Sequence, residues 1–166
     1  MIVGVTGTAM PFARLVSALG CYAAAHPDEV VWVQHGDAAL PPGLNGEPVV
    51  SRTRLMQLMK EADVVVSHAG CGTMLDALSL GHFPVVVARR RALGEHVNDH
   101  QLELLDALEQ ADRIVAVRDI SALPDAIARA QSQPKQVRAP ENAERLKQAV
   151  REAIVERGRG GSSAVL

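Results

Sequence analysis

The stretch from Ala62 to Gln101 constrains the fold of this chain more than any other. It opens with the apolar run Val64–Val66, which is too short for a helix and is typical of a strand buried on both faces. A turn of small residues follows, then a helical pattern up to Gly81 and a second apolar run from Pro84 to Ala88. The stretch therefore predicts a strand–turn–helix–strand unit with a right-handed crossover between parallel strands.

The turn inside this unit contains Gly70, Gly72 and Thr73. The first N–H groups of a helix have no intrahelical acceptor, and together they carry about half a positive charge. Glycines let an anion come close to these groups, so the turn predicts a phosphate site. Asp76 lies one turn further along, where its carboxylate could accept hydrogen bonds from a ribose. The alternative is that the glycines only tighten the turn, because short glycine patterns often occur without a ligand.

A second strand–glycine junction opens the chain. The β-branched run Ile2–Val5 predicts a strand, and apolar residues at helical spacing predict a helix from about Phe12 to Ala25. The residues between them, Thr6 to Thr8, should open on the same sheet edge as the first turn, where ligands bind in open parallel sheets. The alternative reading of Thr6 to Thr8 is a simple turn at the end of a strand.

The whole pattern is about six short strands alternating with helices. The remaining strands are expected at Val30–Val33, Pro48–Ser51 and Arg113–Val117. The remaining helices are expected at Arg54–Glu61, at Asp99–Gln110, and from a cap at Asp119 or Ser121 to about Ala130. This predicts an α/β fold with a doubly wound, mostly parallel, Rossmann-like sheet. No GxGxxG follows the first strand, which argues against a dehydrogenase.

Three segments are expected along the chain. Residues 1–131 form the sheet domain, residues 132–157 form a linker and an amphipathic helix that packs on the domain or on a partner, and residues 158–166 form a disordered tail.

The composition narrows the possible functions. Hydrophobic residues make up 48% of the chain and charged residues 22%, as in soluble globular domains, and the net charge of −2 does not indicate nucleic-acid binding. Aromatic residues are only 2%, which argues against a carbohydrate-binding module or a single-strand binder. Two cysteines suggest a reducing compartment, and no apolar run approaches the ~20 residues that span a bilayer.

Two segments resemble a known family: SHAGCGTMLDAL, from Ser67, and GHFPVVVARRRALGEHVNDHQ, from Gly81. They resemble the donor-binding, C-terminal half of GT-B glycosyltransferases of the family 28 type, and the likeness runs from the VTGT segment around Thr6 to Gln101. The combination of motifs is more specific than either alone. It extends to the small catalytic subunits of two-part UDP-sugar transferases, which act in bacterial exopolysaccharide synthesis or on dolichol-linked glycans. The resemblance implies that this chain supplies only the donor half.

The resemblance implies a role for each matching residue. The residues that it places on the donor diphosphate are Thr6, Gly7, Thr8, His68, Gly70, Gly72 and Thr73. Asp76 matches an acidic position on the ribose, where family members often carry Glu. The sugar-binding residues would be Asp99, His100 and Gln101, and possible anion contacts would be Arg89 and Arg90.

The resemblance also implies a mechanism and partners. An acceptor hydroxyl attacks the anomeric carbon of a UDP-sugar, and N–H groups, a helix dipole and His68 or an arginine stabilise the charge on the departing UDP. No metal or cofactor is expected. The general base would lie beside the acceptor, on a membrane-anchored partner subunit, so no catalytic residue is assigned here. The acceptor would be a lipid-linked glycan, the location cytoplasmic at the inner face of the membrane, and the isolated subunit weak or inactive. The loop with Arg89–Arg91 and Glu95 favours bacterial polysaccharide synthesis.

Other readings remain open at this point. Cys71 and His68 could form a nucleophilic pair, and His96 and His100 could suggest zinc, although no third ligand is evident. Arg89 to Arg91 could be a solvated loop, and His68 a structural residue of its turn. At the level of function, the rivals are a nucleotide-sugar epimerase or hydrolase of related fold, and a non-catalytic nucleotide-sugar sensor.

Overall fold

A computed structural model of the chain describes residues 1–135. Six strands form one sheet: β1 (Ile2–Val5), β2 (Val31–Gln34), β3 (Asn45–Glu47), β4 (Val64–His68), β5 (Val85–Val87) and β6 (Val115–Val117). Their order is β3-β2-β1-β4-β5-β6, and every neighbouring pair is parallel. The predicted doubly wound, six-stranded α/β sheet is confirmed. The predicted terminal helix and the tail after it lie outside the described residues.

Helices cover both faces of this sheet. They are α1 (Ala13–Ala25), α2 (Arg52–Glu61), α3 (Cys71–Ser79), α4 (His100–Gln110) and α5 (Leu123–Gln131), with 3₁₀ turns at Arg91–Leu93 and Ile120–Ala122. Helices α1 and α5 share one apolar cluster with β4 residues Val64 and Val66. Helices α2 and α3 share another with Val65 of the same strand. Alternate residues of β4 thus point to opposite faces, which explains why the strand is apolar throughout.

The third strand differs from the prediction. It was expected at Pro48–Ser51, but β3 is Asn45–Glu47, paired only with β2. An edge strand buries little side-chain surface, so its sequence lacks the apolar pattern that marks the central strands. Gly46 is needed because a Cβ there would lie 2.1 Å from the carbonyl oxygen of Val33 on β2. The last strand is also shorter than the predicted Arg113–Val117.

The strand order reverses between β1 and β4. The connection from β1 leads to β2 on one side, whereas β4 begins the half of the sheet on the other side. Val5 pairs with Ser67, so the loops that leave β1 and β4 start side by side. The helices that follow these strands lie on opposite faces, and a crevice opens between the two loops. The fold thus brings the two glycine turns to the place where α/β proteins bind ligands.

No helix among residues 1–135 is both long enough and apolar enough to cross a membrane.

Candidate functional site

His68, the last residue of β4, lies at the centre of the crevice. Its Nδ1 is 3.2 Å from the carbonyl oxygen of Val5 on β1. A carbonyl oxygen accepts hydrogen bonds, so Nδ1 carries the proton and Nε2 presents a lone pair when the ring is neutral. The contact joins the two loops at the switch in strand order and fixes the orientation of the imidazole.

Burial keeps His68 neutral. It lowers the pKa of the imidazole to about 4; the bond to the Val5 carbonyl opposes this shift, and the charges of Arg89 and His96 add to it. At pH 7 the ring therefore carries no positive charge in the free protein. His68 was predicted to lie beside a diphosphate; in this neutral state its Nε2 presents a lone pair, so the ring would stabilise an anion there only after taking up a proton.

The ring of His68 also explains two of the glycines. A Cβ on Gly70 would lie 2.2 Å from Nε2 of His68, and one on Gly7 would lie 2.8 Å from the same atom. Gly7 has φ +75°, which side chains rarely tolerate. Both glycines are thus required by the packing of one histidine between the two loops. Gly7 and Gly70 were predicted to contact a ligand, and their packing against His68 was not predicted.

The N-terminus of α3 is the open part of the crevice. Gly70 is its N-cap and provides no side-chain acceptor. Within residues 1–135, no acceptor is found for the N–H groups of Gly72 and Thr73. A Cβ on Gly72 would meet no atom within 4 Å, so packing does not explain this glycine. N–H groups without an acceptor at the start of a helix, beside a glycine that has no side chain to block the approach, are what an anion requires.

The loop after β1 is more closed than the sequence suggests. Thr6 is fully buried, and its N–H and its hydroxyl both donate to the carbonyl oxygen of Gln34, each at 3.0 Å. The N–H of Gly7 donates to Oε1 of Gln34 at 3.0 Å. Direct contact of a diphosphate with Thr6 or Gly7 would require these bonds to break. Thr8 is exposed and remains available. The buried amide of Gln34, which holds this loop, was not predicted in that role.

The predicted sugar-binding corner lies at the same sheet edge, beyond β5. Oε1 of Gln101 accepts a hydrogen bond of 3.0 Å from the N–H of Arg89, which leaves the amide nitrogen of Gln101 as a donor. Oδ1 of Asp99 accepts from the N–H of Arg91 at 3.0 Å. His100 is exposed, with its Nδ1 3.6 Å from Oε2 of Glu103. The structure therefore brings Gln101 towards the crevice, and it uses Asp99 to shape the loop.

The two arginines predicted as anion contacts are engaged elsewhere. Arg89 is only 1% exposed, and its Nη2 donates to the carbonyl oxygen of Thr6 at 2.6 Å. Its guanidinium lies 5.1 Å from the centre of the Phe12 ring, and its Nε has no partner among the described residues. Arg90 donates from Nη2 to the carbonyl oxygen of Arg118. Arg89 thus supports the β1 loop from inside and does not face an external anion.

Arg14 and Glu95 form, together with Arg89, a group of largely buried charged side chains. Arg14 Nε and Nη2 each lie 2.8 Å from a carboxylate oxygen of Glu95, and Nη2 also donates to the carbonyl oxygen of Ala88. Burial alone would raise the pKa of Glu95, but hydrogen bonds from Arg14 and from the N–H of Arg90 outweigh it and hold the pKa below its ordinary value. Arg14 was not singled out from the sequence, because its helix carries no other charged residue to mark it.

Asp76, the predicted ribose contact, forms an ion pair. Its Oδ1 lies 2.6 Å from Nη2 of Arg52, the first residue of α2. The Arg52 side chain is 76% exposed and the Asp76 side chain 20% exposed. This contact between α2 and α3 was not predicted from the sequence.

The geometry gives no support to the other chemistries considered. Burial raises the pKa of the Cys71 thiol, which disfavours the thiolate that a nucleophile needs. Within residues 1–135, no group of three or more His, Cys, Asp or Glu side chains is placed to hold a metal ion.

Comparisons with known proteins find a matching family and a matching fold. The glycosyltransferase family 28 C-terminal domain matches residues 42–156, more than half of the chain. The UDP-N-acetylglucosamine transferase subunit ALG13 of Yarrowia lipolytica is 34% identical over 65 residues, which are 39% of this chain and 31% of that protein. The crystal structure of the glycotransferase of kitacinnamycin aligns with a TM-score of 0.62 at 21% identity, over 91% of this chain and 39% of that one. This likeness shows a shared fold.

Proposed function

Because the chain belongs to the glycosyltransferase family 28 C-terminal domain family, we propose that it binds the UDP-sugar donor of a two-subunit glycosyltransferase. The matched relative is named as a subunit of a UDP-N-acetylglucosamine transferase, which supports a UDP-sugar as the donor. The match covers under a third of that relative, so we propose only that the donor sugar is a hexose.

One observation carries the proposal. The N–H groups of Gly72 and Thr73 at the N-terminus of α3 lie at the switch in strand order without an acceptor among residues 1–135, and a Cβ on Gly72 would meet none of these residues' atoms within 4 Å. Glycine at a helical position costs about 0.5–1 kcal/mol relative to alanine, and no packing contact within residues 1–135 accounts for Gly72. A diphosphate that approaches the backbone at this point does account for it.

The residues of this chain would act on the leaving group. Negative charge grows on the diphosphate as the bond to the anomeric carbon breaks, and the preorganised N–H groups of α3 would stabilise it there. His68 is neutral in the free protein, and a neighbouring diphosphate would favour its protonation. The free amide nitrogen of Gln101 would donate to a sugar oxygen.

The acceptor side would come from a partner. We assign the general base and the lipid-linked glycan acceptor to a membrane-anchored subunit, which would also bring this chain to the inner face of the membrane. A role in polysaccharide synthesis follows from the resemblance of the Arg89–Arg91 loop to that of the exopolysaccharide subunits. Alone, this chain would bind the donor and turn it over poorly.

Calorimetric titration of the purified chain tests the central claim. UDP should bind in the micromolar to millimolar range, and UMP more weakly, because UMP lacks the β-phosphate that would contact α3. If UDP does not bind at millimolar concentration, the proposal fails. Co-expression with a membrane-anchored acceptor subunit then separates the enzyme from a sensor, because a sensor predicts no sugar transfer by the pair.

A further inference from the structure

We propose that Arg52 is a positioning residue: it holds one oxygen of the Asp76 carboxylate so that the other accepts a hydrogen bond from a ribose hydroxyl of the bound nucleotide. This inference rests on the proposed function. It adds to the site a residue from α2, a helix that contributes no other group to it.

The two side chains meet across a fixed helix pair. Leu58 and Met59 of α2 share an apolar cluster with Ala77 of α3, so both helices pack on the same face of the sheet. The start of α2 is fixed because Oγ of Ser51 accepts from the N–H of Arg54 at 3.2 Å. Arg52 is the first residue of this helix, and its Nη2 lies 2.6 Å from Oδ1 of Asp76.

The pair is asymmetric in a way that suits a ligand. Asp76 is mostly buried, whereas Arg52 is 76% exposed, and such an exposed partner contributes little to folding stability. Among the described residues, only Arg52 donates to the Asp76 carboxylate, and it does so to Oδ1. Oδ2 is therefore oriented and has no donor, which is the state needed to accept from a hydroxyl.

Asp76 is also at the right distance from the anion site. It lies four residues after Gly72, so both are on the same side of α3, separated by about 6 Å along the helix axis. A ribose joined to a diphosphate at the Gly72 N–H can span that separation. An aspartate reaches less far than a glutamate, so its orientation matters more, and Arg52 sets that orientation.

The test compares UDP with 2′-deoxy-UDP and 3′-deoxy-UDP by calorimetry on the purified chain. The wild type should prefer UDP over at least one analogue by about tenfold, the worth of a hydrogen bond to a carboxylate. Arg52→Gln should reduce this preference to about twofold while changing the affinity for that analogue little. Arg52→Lys should restore part of the preference. Asp76→Asn should lose it, and adding Arg52→Gln to Asp76→Asn should cause no further loss.

A matched control removes the same charge two residues away. Arg54→Gln is an exposed change in the same helix, and it should leave the preference as in the wild type. Equal weakening of UDP and both analogues by Arg52→Gln would show a general charge effect and overturn the positioning role. If Arg52→Gln keeps the wild-type preference for UDP over the deoxy analogues, the positioning role is overturned. It is also overturned if the wild type binds UDP but shows no such preference. If the wild type binds no nucleotide, the proposed function falls together with this inference.

Discussion

A single ring determines the shape of the crevice at the scale of residues. His68 fills the space between Gly7 of the β1 loop and Gly70 of the β4 turn. Gly70 and Gly72 belong to the same turn, yet they are glycine for different reasons. Gly70 makes room for a side chain of the protein itself, whereas the space beside Gly72 is empty. Substitutions at these two positions, two residues apart, should therefore have opposite effects on stability.

Gly72→Ala should separate stability from binding. The added methyl group meets no atom within 4 Å in the part of the chain that the structure describes, so alanine should raise the free energy of unfolding by up to about 1 kcal/mol. It should weaken UDP binding by tenfold or more, about 1.4 kcal/mol, because the methyl occupies the approach of the phosphate. Urea unfolding and calorimetry measure the two effects. UDP binding as tight as in the wild type would argue against a ligand at α3.

Gly70→Ala is the matched comparison. Its methyl group would lie 2.2 Å from Nε2 of His68, and we expect a loss of about 1–3 kcal/mol in the free energy of unfolding. A neutral effect on stability would show that the ring moves freely and does not set the shape of the crevice.

The neutral state of His68 predicts how stability depends on pH. Its pKa falls from 6.5 in the unfolded chain to about 4 in the folded protein, so between these values only the unfolded chain takes up the proton. Its contribution to stability is complete above pH 6.5 and is lost as the pH falls to 4, by about 3 kcal/mol. Burial also lowers the pKa of His82, which acts in the same direction.

Comparison with His68→Asn isolates this contribution. The asparagine amide can still donate to the Val5 carbonyl but does not titrate, so the free energy of unfolding should fall less steeply between pH 6.5 and 4. Denaturant titrations at several pH values measure the slope. Identical slopes in the two proteins would mean that His68 is not held neutral.

At the scale of elements, buried charges hold the loop after β5 in place. Glu95 receives Arg14 from α1 and the N–H of Arg90 from its own loop, and Arg89 reaches back to the carbonyl oxygen of Thr6. The bonds from Arg14 and Arg89 thus join this loop to the β1–α1 region, across 81 and 83 positions of the sequence. The loop that carries Gln101 at its end is therefore attached to the β1 side of the sheet as well as to β5.

Removing the charge of Glu95 should release this loop. Glu95→Gln leaves Arg14 and Arg89 without their buried counter-charge, and we expect the free energy of unfolding to fall by about 2–4 kcal/mol at pH 7. Asp106→Asn removes an exposed partner of Arg118 and should cost less than about 1 kcal/mol. Urea unfolding of both variants measures the difference. A loss from Glu95→Gln as small as that from Asp106→Asn would show that the buried group does not hold the loop.

At the scale of the whole molecule, the sequence predicts the centre of the sheet better than its edges. The central strands Val64–Val66 and Ile2–Val5 are buried on both faces, so all their residues are apolar and the sequence shows them as apolar runs. β3 pairs on one side only, so its position depends on the backbone of β2 and leaves no such pattern. The same holds for Arg89, whose charge suggests a surface position although distant residues enclose it.

Parts of the site could be predicted for a similar reason. Glycines at strand ends identified both turns, because a parallel sheet brings strand ends to one edge. The sequence could not show that the N–H of Gly7 donates to Gln34, which is 27 positions away. Nor could it show that Arg52 donates to Asp76, 24 positions away. Motif and topology locate the pocket; only three-dimensional packing shows which of its polar groups are free.

The strand order has a consequence for folding. The first three strands and the last three meet only along β1 and β4, and each half supplies one wall of the crevice. The His68–Val5 and Arg89–Thr6 bonds cross this seam between residues 63 and 83 positions apart. If the second half folded alone, it would keep the N–H groups of Gly72 and Thr73 but would lack the β1 loop that forms the other wall, so it should bind UDP more weakly than the whole chain. Nucleotide affinity would then measure whether β1 and β4 have paired and joined the two halves of the sheet.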